Sequence, residues 1–167
     1  MKRASQEKKD DYLSGLIAAR RAILEVAAAL PPEKRDEVFL GVWSIKDLTA
    51  HLIGWDYVNL QAAEEVLAGK VPSFFAHYDP DWKTFNAQLV EEYTRDDFAQ
   101  LLSSVEESQR KLIDFLKTIP AEEFDKDRGV RTARGARVTI GRNLQAEIDD
   151  EKVHYRQIKD FAAAANA

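Results

Sequence analysis

Apolar residues recur along this chain at three- and four-residue intervals, the rhythm of helices with one buried face. Leu13, Leu16, Ile17, Leu24, Ala27 and Leu30 mark such a face over residues 5–30, with Arg20, Arg21 and Glu25 at other positions. Pro31 and Pro32 stop this helix, since proline has no N–H to donate and its ring clashes with the preceding turn. Ser44 followed by Asp47 opens a second helix: the hydroxyl can accept a free backbone N–H, and the carboxylate suits the positive helix end. Ile45, Leu48, Leu52, Trp55, Ala62 and Val66 form its inward stripe, and Gly69 follows its end near Leu67. Residues 70–79, with Pro72, Phe74, Phe75, His77 and Tyr78, read as a long connection in which His77 faces solvent.

Asp79 as cap and Pro80 in the first turn restart a helix on which Trp82, Phe85, Leu89 and Tyr93 align, with Asn86 on the same face. Thr94 and Asp97 form a further capping pair. After them Phe98, Leu101, Leu102, Val105, Leu112, Phe115, Leu116 and Ile119 carry the core face of the third long helix, which Pro120 ends. Residues 121–124 add one short turn. The last long helix starts near Thr139, with Ile140, Leu144, Ile148, Tyr155 and Ile158 inward. Residues 130–138 alternate only weakly, enough for a small ribbon.

The expectation is therefore an all-α fold. It is a four-helix bundle in one domain over residues 1–167 (core about 10–160), with a long crossover between the second and third long helices and a basic loop before the fourth. At 167 residues, 45% hydrophobic and 32% charged, the chain can bury a real core. It has no cysteine, which excludes disulfides, a thiolate nucleophile and a Cys-based zinc site. The first residues have basic side chains but no apolar stretch after them, unlike a signal peptide. No apolar run approaches the roughly 20 residues of a membrane span. A cytoplasmic protein with no membrane partner is expected. The net charge of −5 argues against nucleic acid as the main partner. Against that balance, residues 126–142 hold Lys126, Arg128, Arg131, Arg134, Arg137 and Arg142 with one acid, Asp127. Gly129, Gly135 and Gly141 give this stretch flexibility. It reads either as a solvated loop balancing an acidic bundle or as a collector of anionic ligands.

Polar residues on apolar faces are the candidates for chemistry. His51 interrupts the stripe of the second helix. On the last helix Glu147, Glu151 and His154 fall within or beside the stripe, and Asp150 lies on its flank. Buried acids are costly unless paired or metal-bound. Asp150 and His154 are four residues apart, so both can reach one ion from one side of the helix. His51 would complete a two-histidine, one-carboxylate set suited to nickel, zinc or ferrous iron, with open coordination positions. Glu147 or Glu151 is then a candidate general base. Trp43, Trp55, Trp82, Asn86 and Tyr155 are candidate pocket residues for a small-molecule ligand. The competing reading is a metal-free network in which an imidazole pairs directly with Glu147 or Glu151. A further alternative is an interaction module whose buried polar residues fix helix register. Glu151 and His154 match the E-x-x-H of di-iron bundles, but no second copy of that motif is present.

Three stretches together resemble the DinB-like superfamily. WSIKDLTAHLIGWD (residues 43–56) looks like its histidine-bearing second helix. DWKTFNAQLVEEYTRDDFAQLL (81–102) is similar to the middle segment of the ClbS/DfsB-type branch, where an Asn follows an aromatic. DEKVHYRQI (150–158) resembles the final helix, whose usual pattern is His, three residues, His, then Gln-Ile. The resemblance spans roughly residues 10–160. It implies a DinB-like four-helix bundle, often a homodimer. His51 and His154 match the first and last family histidines, while Asp150 stands where the middle histidine is usual. Members with the full triad bind nickel, zinc or iron, and some are linked to hydrolysis or thiol transfer on small molecules. Asp150 implies either a site poorer in nitrogen or the loss of the metal. ClbS-like members protect their hosts from a reactive natural product, which makes a metal-free binding or protective protein the alternative.

Overall fold

The computed structural model describes residues 1–166. Among these there are six α-helices and no strand. Helix α1 is Lys2–Ala29, α2 Ile45–Leu67, α3 the single turn Phe75–Tyr78, α4 Trp82–Tyr93, α5 Phe98–Thr118 and α6 Ile140–Ala165. Short 3-10 turns follow α1 (Pro32–Arg35) and α5 (Ala121–Glu123). α1 packs on α6, while α2 packs on α5, α4 and α6. None of these helices is long and apolar enough to cross a membrane.

Helices α2, α4, α5 and α6 start where a side chain satisfies a free backbone donor. At α2, Ser44 Oγ accepts from the Asp47 N–H at 3.3 Å, and Asp47 Oδ2 accepts from the Ser44 N–H at 2.8 Å. Two other caps differ from expectation. Asp81, not Asp79, caps α4 by accepting from the Thr84 N–H at 3.1 Å. Asp79 instead ends α3. Asp97 alone caps α5, and Thr94 is the residue that closes the C-terminal end of α4, its N–H bonded to the Val90 carbonyl, rather than a capping partner for α5. At the far end of α5, Lys9 from α1 donates to the carbonyls of Lys117 (2.8 Å) and Ile119 (2.6 Å), a cation placed on the negative helix end.

The buried apolar side chains fall into two clusters. One contains Leu16, Leu112, Leu116, Phe124, Ile140, Leu144 and Ile148; the other contains Ile23, Ile45, Leu48, Leu52, Leu101, Val105 and Ile158. Each long helix carries one polar residue at the join between the clusters: Arg20 on α1, Asp56 on α2, Ser108 on α5 and Glu151 on α6. Arg20, expected at a position off the apolar stripe, is 2% exposed. Its guanidinium donates to both Asp56 oxygens (2.9 and 3.0 Å) and to Glu151 Oε1 (2.6 Å). Ser108 Oγ donates to Asp56 Oδ2 at 2.6 Å. One cation thus ties α1 to α2 and α6, and Ser108 adds α5.

Two glycines permit close approach. A Cβ on Gly54 would stand 2.8 Å from Leu89 Cβ, so this glycine lets α4 lie against α2. Gly141, expected to lend flexibility, is in the first turn of α6 with its N–H bonded to the Phe124 carbonyl at 2.8 Å. A Cβ there would collide with Asp125 Oδ1 and stand 2.7 Å from Tyr12 Oη. Gly141→Ala is expected to cost about 1–3 kcal/mol through overpacking. An unchanged urea midpoint would refute this.

Residues 130–138 do form a short ribbon. Arg131 pairs with Arg137, the Val138 N–H bonds the Val130 carbonyl at 3.0 Å, and Gly135 takes the positive φ of the turn. Of the loop's basic residues, Lys126 and Arg128 pair with Glu123, and Arg131 pairs with Asp127.

Candidate functional site

A cavity of about 950 Å³ opens between α2, the α3–α4 crossover and α6. That volume lies at the upper end of the range for small-molecule sites. α2 contributes His51, Trp55 and Asn59; the preceding turn adds Trp43; α6 contributes Asn143, Glu147, Asp150, His154 and Gln157. The crossover supplies Phe74, Phe75, Tyr78, Trp82 and Asn86. Phe74, Tyr78 and Phe85 pack around the Trp55 ring with centroids 5.3–5.7 Å away, an aromatic cluster built largely on the long connection of residues 70–79. His77, as expected, is exposed.

Helical spacing explains why the polar groups converge. His51 is three residues after Leu48 and four before Trp55, so it shares their inward face. It is 3% exposed, with its ring 4.7 Å from Trp43 and 5.2 Å from His154. Asp150 and His154 are one turn apart on α6. His154 Nε2 lies 3.2 Å from Asp150 Oδ2, and His51 Nε2 lies 3.9 Å from the same oxygen. One donor atom from each of His51, Asp150 and His154 lies within 4.8 Å of the others.

The protonation chemistry of the three differs. Burial pushes His51 below the ordinary histidine value, outweighing the nearby Asp150, so its ring is neutral at pH 7. Burial also opposes charge on His154, but the Asp150 carboxylate and the Gln157 carbonyl raise it above the ordinary value. Asp150 is held well below the usual carboxylate range: burial pushes it up, and the two imidazoles overcome this. The donor set fits a borderline divalent ion. Neither nitrogen of the buried His51 ring has a hydrogen-bond partner among the described residues. Gln157 Oε1, 2.8 Å from His154 Nδ1, can accept that N–H and leave Nε2 free as a ligand.

Glu147 lines the cavity one turn before Asp150, and Asn59 Nδ2 donates to its Oε2 at 3.2 Å. Burial, reinforced by the charge of Glu151, raises its pKa well above the ordinary value. A raised folded value means that the folded state keeps a proton the unfolded chain loses. This contribution to stability is complete below the ordinary glutamate range and is lost as pH rises towards the folded value. Glu147→Gln is expected to remove that fall and raise stability at pH 7. Urea midpoints from pH 5 to 8 in metal-free protein test it; parallel pH curves for the two proteins would contradict it.

Two candidate residues stand elsewhere. Glu151 does not line the cavity: it is fully buried and accepts from Arg20 through both oxygens, so it has no access to a ligand. Tyr155 also lies outside the cavity wall and packs against the Ile23–Leu52 core cluster. Nor does either glutamate pair with a histidine; Asp150 is the imidazoles' acidic neighbour. Trp82 is at the cavity mouth, 52% exposed, rather than in the core. Asn59 and Gln157 were not singled out, although Asn59 lies four residues after Trp55 and Gln157 three after His154. Asn86 meets the requirement that a buried amide be partnered: Trp55 Nε1 donates to its Oδ1 at 2.9 Å.

The sequence profile of the DinB superfamily matches residues 16–158, a span that includes all three converging residues. The chain belongs to the DinB superfamily. Two solved structures share this DinB fold. The colibactin self-resistance protein ClbS, solved in complex with a dsDNA, aligns with a TM-score of 0.72 over 91% of this chain and 93% of its own, at 17% identity. An uncharacterised protein from Escherichia coli UTI89 aligns with a TM-score of 0.70 over 95% and 94%, at 13% identity. None of the curated proteins compared matches this DinB chain in sequence.

Proposed function

We propose that this protein is a divalent-metal-dependent hydrolase or transferase acting on a small molecule in the aromatic-lined cavity. The observation that carries the reading is the buried His51 ring. Both its nitrogens lack hydrogen-bond partners among the described residues, and its Nε2 faces the same carboxylate oxygen as His154 Nε2. Leaving a buried ring nitrogen unpaired costs free energy, which an ion on Nε2 would recover for that atom. His51, Asp150 and His154 would hold nickel, zinc or iron, and the ion would supply Lewis-acid polarisation of a substrate oxygen. Gln157 fixes the His154 ring. Glu147, whose pKa burial raises above the ordinary glutamate value, lines the cavity and can accept and return a proton there. The aromatic wall excludes water from the bound molecule.

Elemental analysis of gently purified protein tests this. Near-stoichiometric metal that is absent from His51→Ala is the expected result. No metal in the wild type after growth with nickel, zinc and iron would overturn it.

A second reading is a metal-free, ClbS-like binding or protective protein. Its specific support is the 3.2 Å contact between Asp150 and His154, which satisfies both groups without an ion. The same cavity would then hold a reactive molecule. We retain a small molecule rather than DNA as the ligand in both readings, although one structural neighbour is a DNA complex. The net charge is −5, and half of the basic residues in the 126–142 loop are already paired with acids.

A further inference from the structure

We infer that Asn86 is the specificity residue of the cavity and that it recognises the carbonyl oxygen of an uncharged ligand. The inference rests on the small-molecule reading above but not on the presence of a metal.

The orientation of the Asn86 amide follows from its partner. An indole N–H can only donate, so the Asn86 atom 2.9 Å from Trp55 Nε1 must be the oxygen. The NH2 group therefore points away from Trp55. Asn86 is 6% exposed and lines the cavity. Its amide nitrogen donates to no protein acceptor among the described residues, yet it is not sealed from open space. Two N–H donors thus stand free at the wall of an apolar chamber.

The arrangement is rigid. Gly54 brings α4 against α2, and the indole of Trp55 is wedged among Phe74, Tyr78 and Phe85. A donor fixed in apolar surroundings gains more from a ligand acceptor than one in water, and it penalises a ligand that lacks one. The charges near the cavity select the kind of acceptor. The Asp150 carboxylate lines it, and among the described lining residues the one lysine or arginine is the exposed Lys83. An anionic carboxylate is disfavoured there, whereas a neutral ketone, ester or amide oxygen is not. The ligand class is an apolar, preferably aromatic, carbonyl compound that lies against Trp55 with its oxygen on Asn86 Nδ2.

A matched pair of probes tests this: 9-fluorenone, which has the carbonyl, and fluorene, which does not. Binding of each is measured by equilibrium dialysis to the full chain in EDTA, for wild type, Asn86→Leu and Trp55→Phe. The readout is the affinity ratio of the two probes relative to its value in Asn86→Leu, so their different solubilities cancel. Wild type should favour fluorenone about tenfold by this measure, the worth of one hydrogen bond. Trp55→Phe, which frees the amide to rotate, should fall between wild type and Asn86→Leu while still binding fluorene. An equal ratio in wild type and Asn86→Leu, with both probes bound, would overturn the carbonyl assignment and leave the small-molecule reading standing. If neither probe binds wild type, both fall. Thermal melts of the variants establish that they fold; should Asn86→Leu not fold, a Trp55→Phe ratio equal to that of wild type overturns the assignment.

Discussion

Replacing Arg20 with leucine is expected to destabilise the protein by about 3–5 kcal/mol. The guanidinium is 2% exposed, and it is the cation that neutralises Asp56 and Glu151, which are 2% and 0% exposed. Burial alone would lower the pKa of Arg20, yet the two carboxylates hold it above the ordinary arginine value. Without it, two buried carboxylates face each other unneutralised, and burial favours the protonated form of Glu151. The loss should therefore shrink as pH falls. Asp56→Asn with Glu151→Gln in the same chain should restore much of the stability, because the remaining groups are then neutral. Urea unfolding at pH 7 and pH 5 measures this. A loss below about 1 kcal/mol, the scale of an exposed ion pair, would contradict it. The consequence reaches the candidate site. The cluster fixes α2 against α6, the two helices that carry His51 and the Asp150–His154 pair, so Arg20→Leu should also weaken any metal bound there.

The second large effect is expected at Asp150, and it separates the two functional readings. Asp150→Ala should abolish metal binding, because it leaves the ion only two protein ligands, His51 and His154, and removes the one anionic ligand of the set. Asp150→His should tighten zinc or nickel binding by about tenfold or more, since imidazole is the better ligand for these borderline ions. In a metal-free protein the same substitution merely exchanges the carboxylate beside His154 for a third imidazole. It should then lower stability at mildly acidic pH, where His154 carries charge. Zinc titration of the three proteins, with thermal melts beside it, distinguishes the cases. Equal zinc affinity in wild type and Asp150→Ala would remove Asp150 from the ligand set.

Much of this was legible in the sequence because helical spacing is a local property. Ile45, Leu48, His51, Leu52 and Trp55 had to share a face, and Asp150 had to accompany His154. The family resemblance brought the two helices together. The misplacement of Glu151 and Tyr155 has a geometric cause that the sequence also contained. At about 100° per residue, Glu151 lies about 100° and Tyr155 about 140° around α6 from Asp150. They occupy the flank that meets α1 and the second core cluster, away from the cavity. Arg20 is set apart from the inward stripe in the sequence, although it follows Leu16 by four residues and precedes Leu24 by four. Its register was the better guide. The crossover was opaque for a different reason: Phe74 and Tyr78 have too little periodic context to reveal a face. Their position depends on α4 docking at Gly54, a contact between distant parts of the chain. Likewise Asp79 and Asp81 are equivalent as caps by composition, and only the path of the backbone selects Asp81.

The central claim is that His51, Asp150 and His154 hold one divalent ion. The most direct measurement is anomalous diffraction at the nickel or zinc edge from crystals of metal-replete protein. The account predicts one peak between α2 and α6, about 2.0–2.2 Å from a nitrogen of each histidine and within bonding distance of Asp150. The absence of a peak, with His154 still in direct contact with Asp150, would contradict it and leave the metal-free binding protein as the function of this cavity.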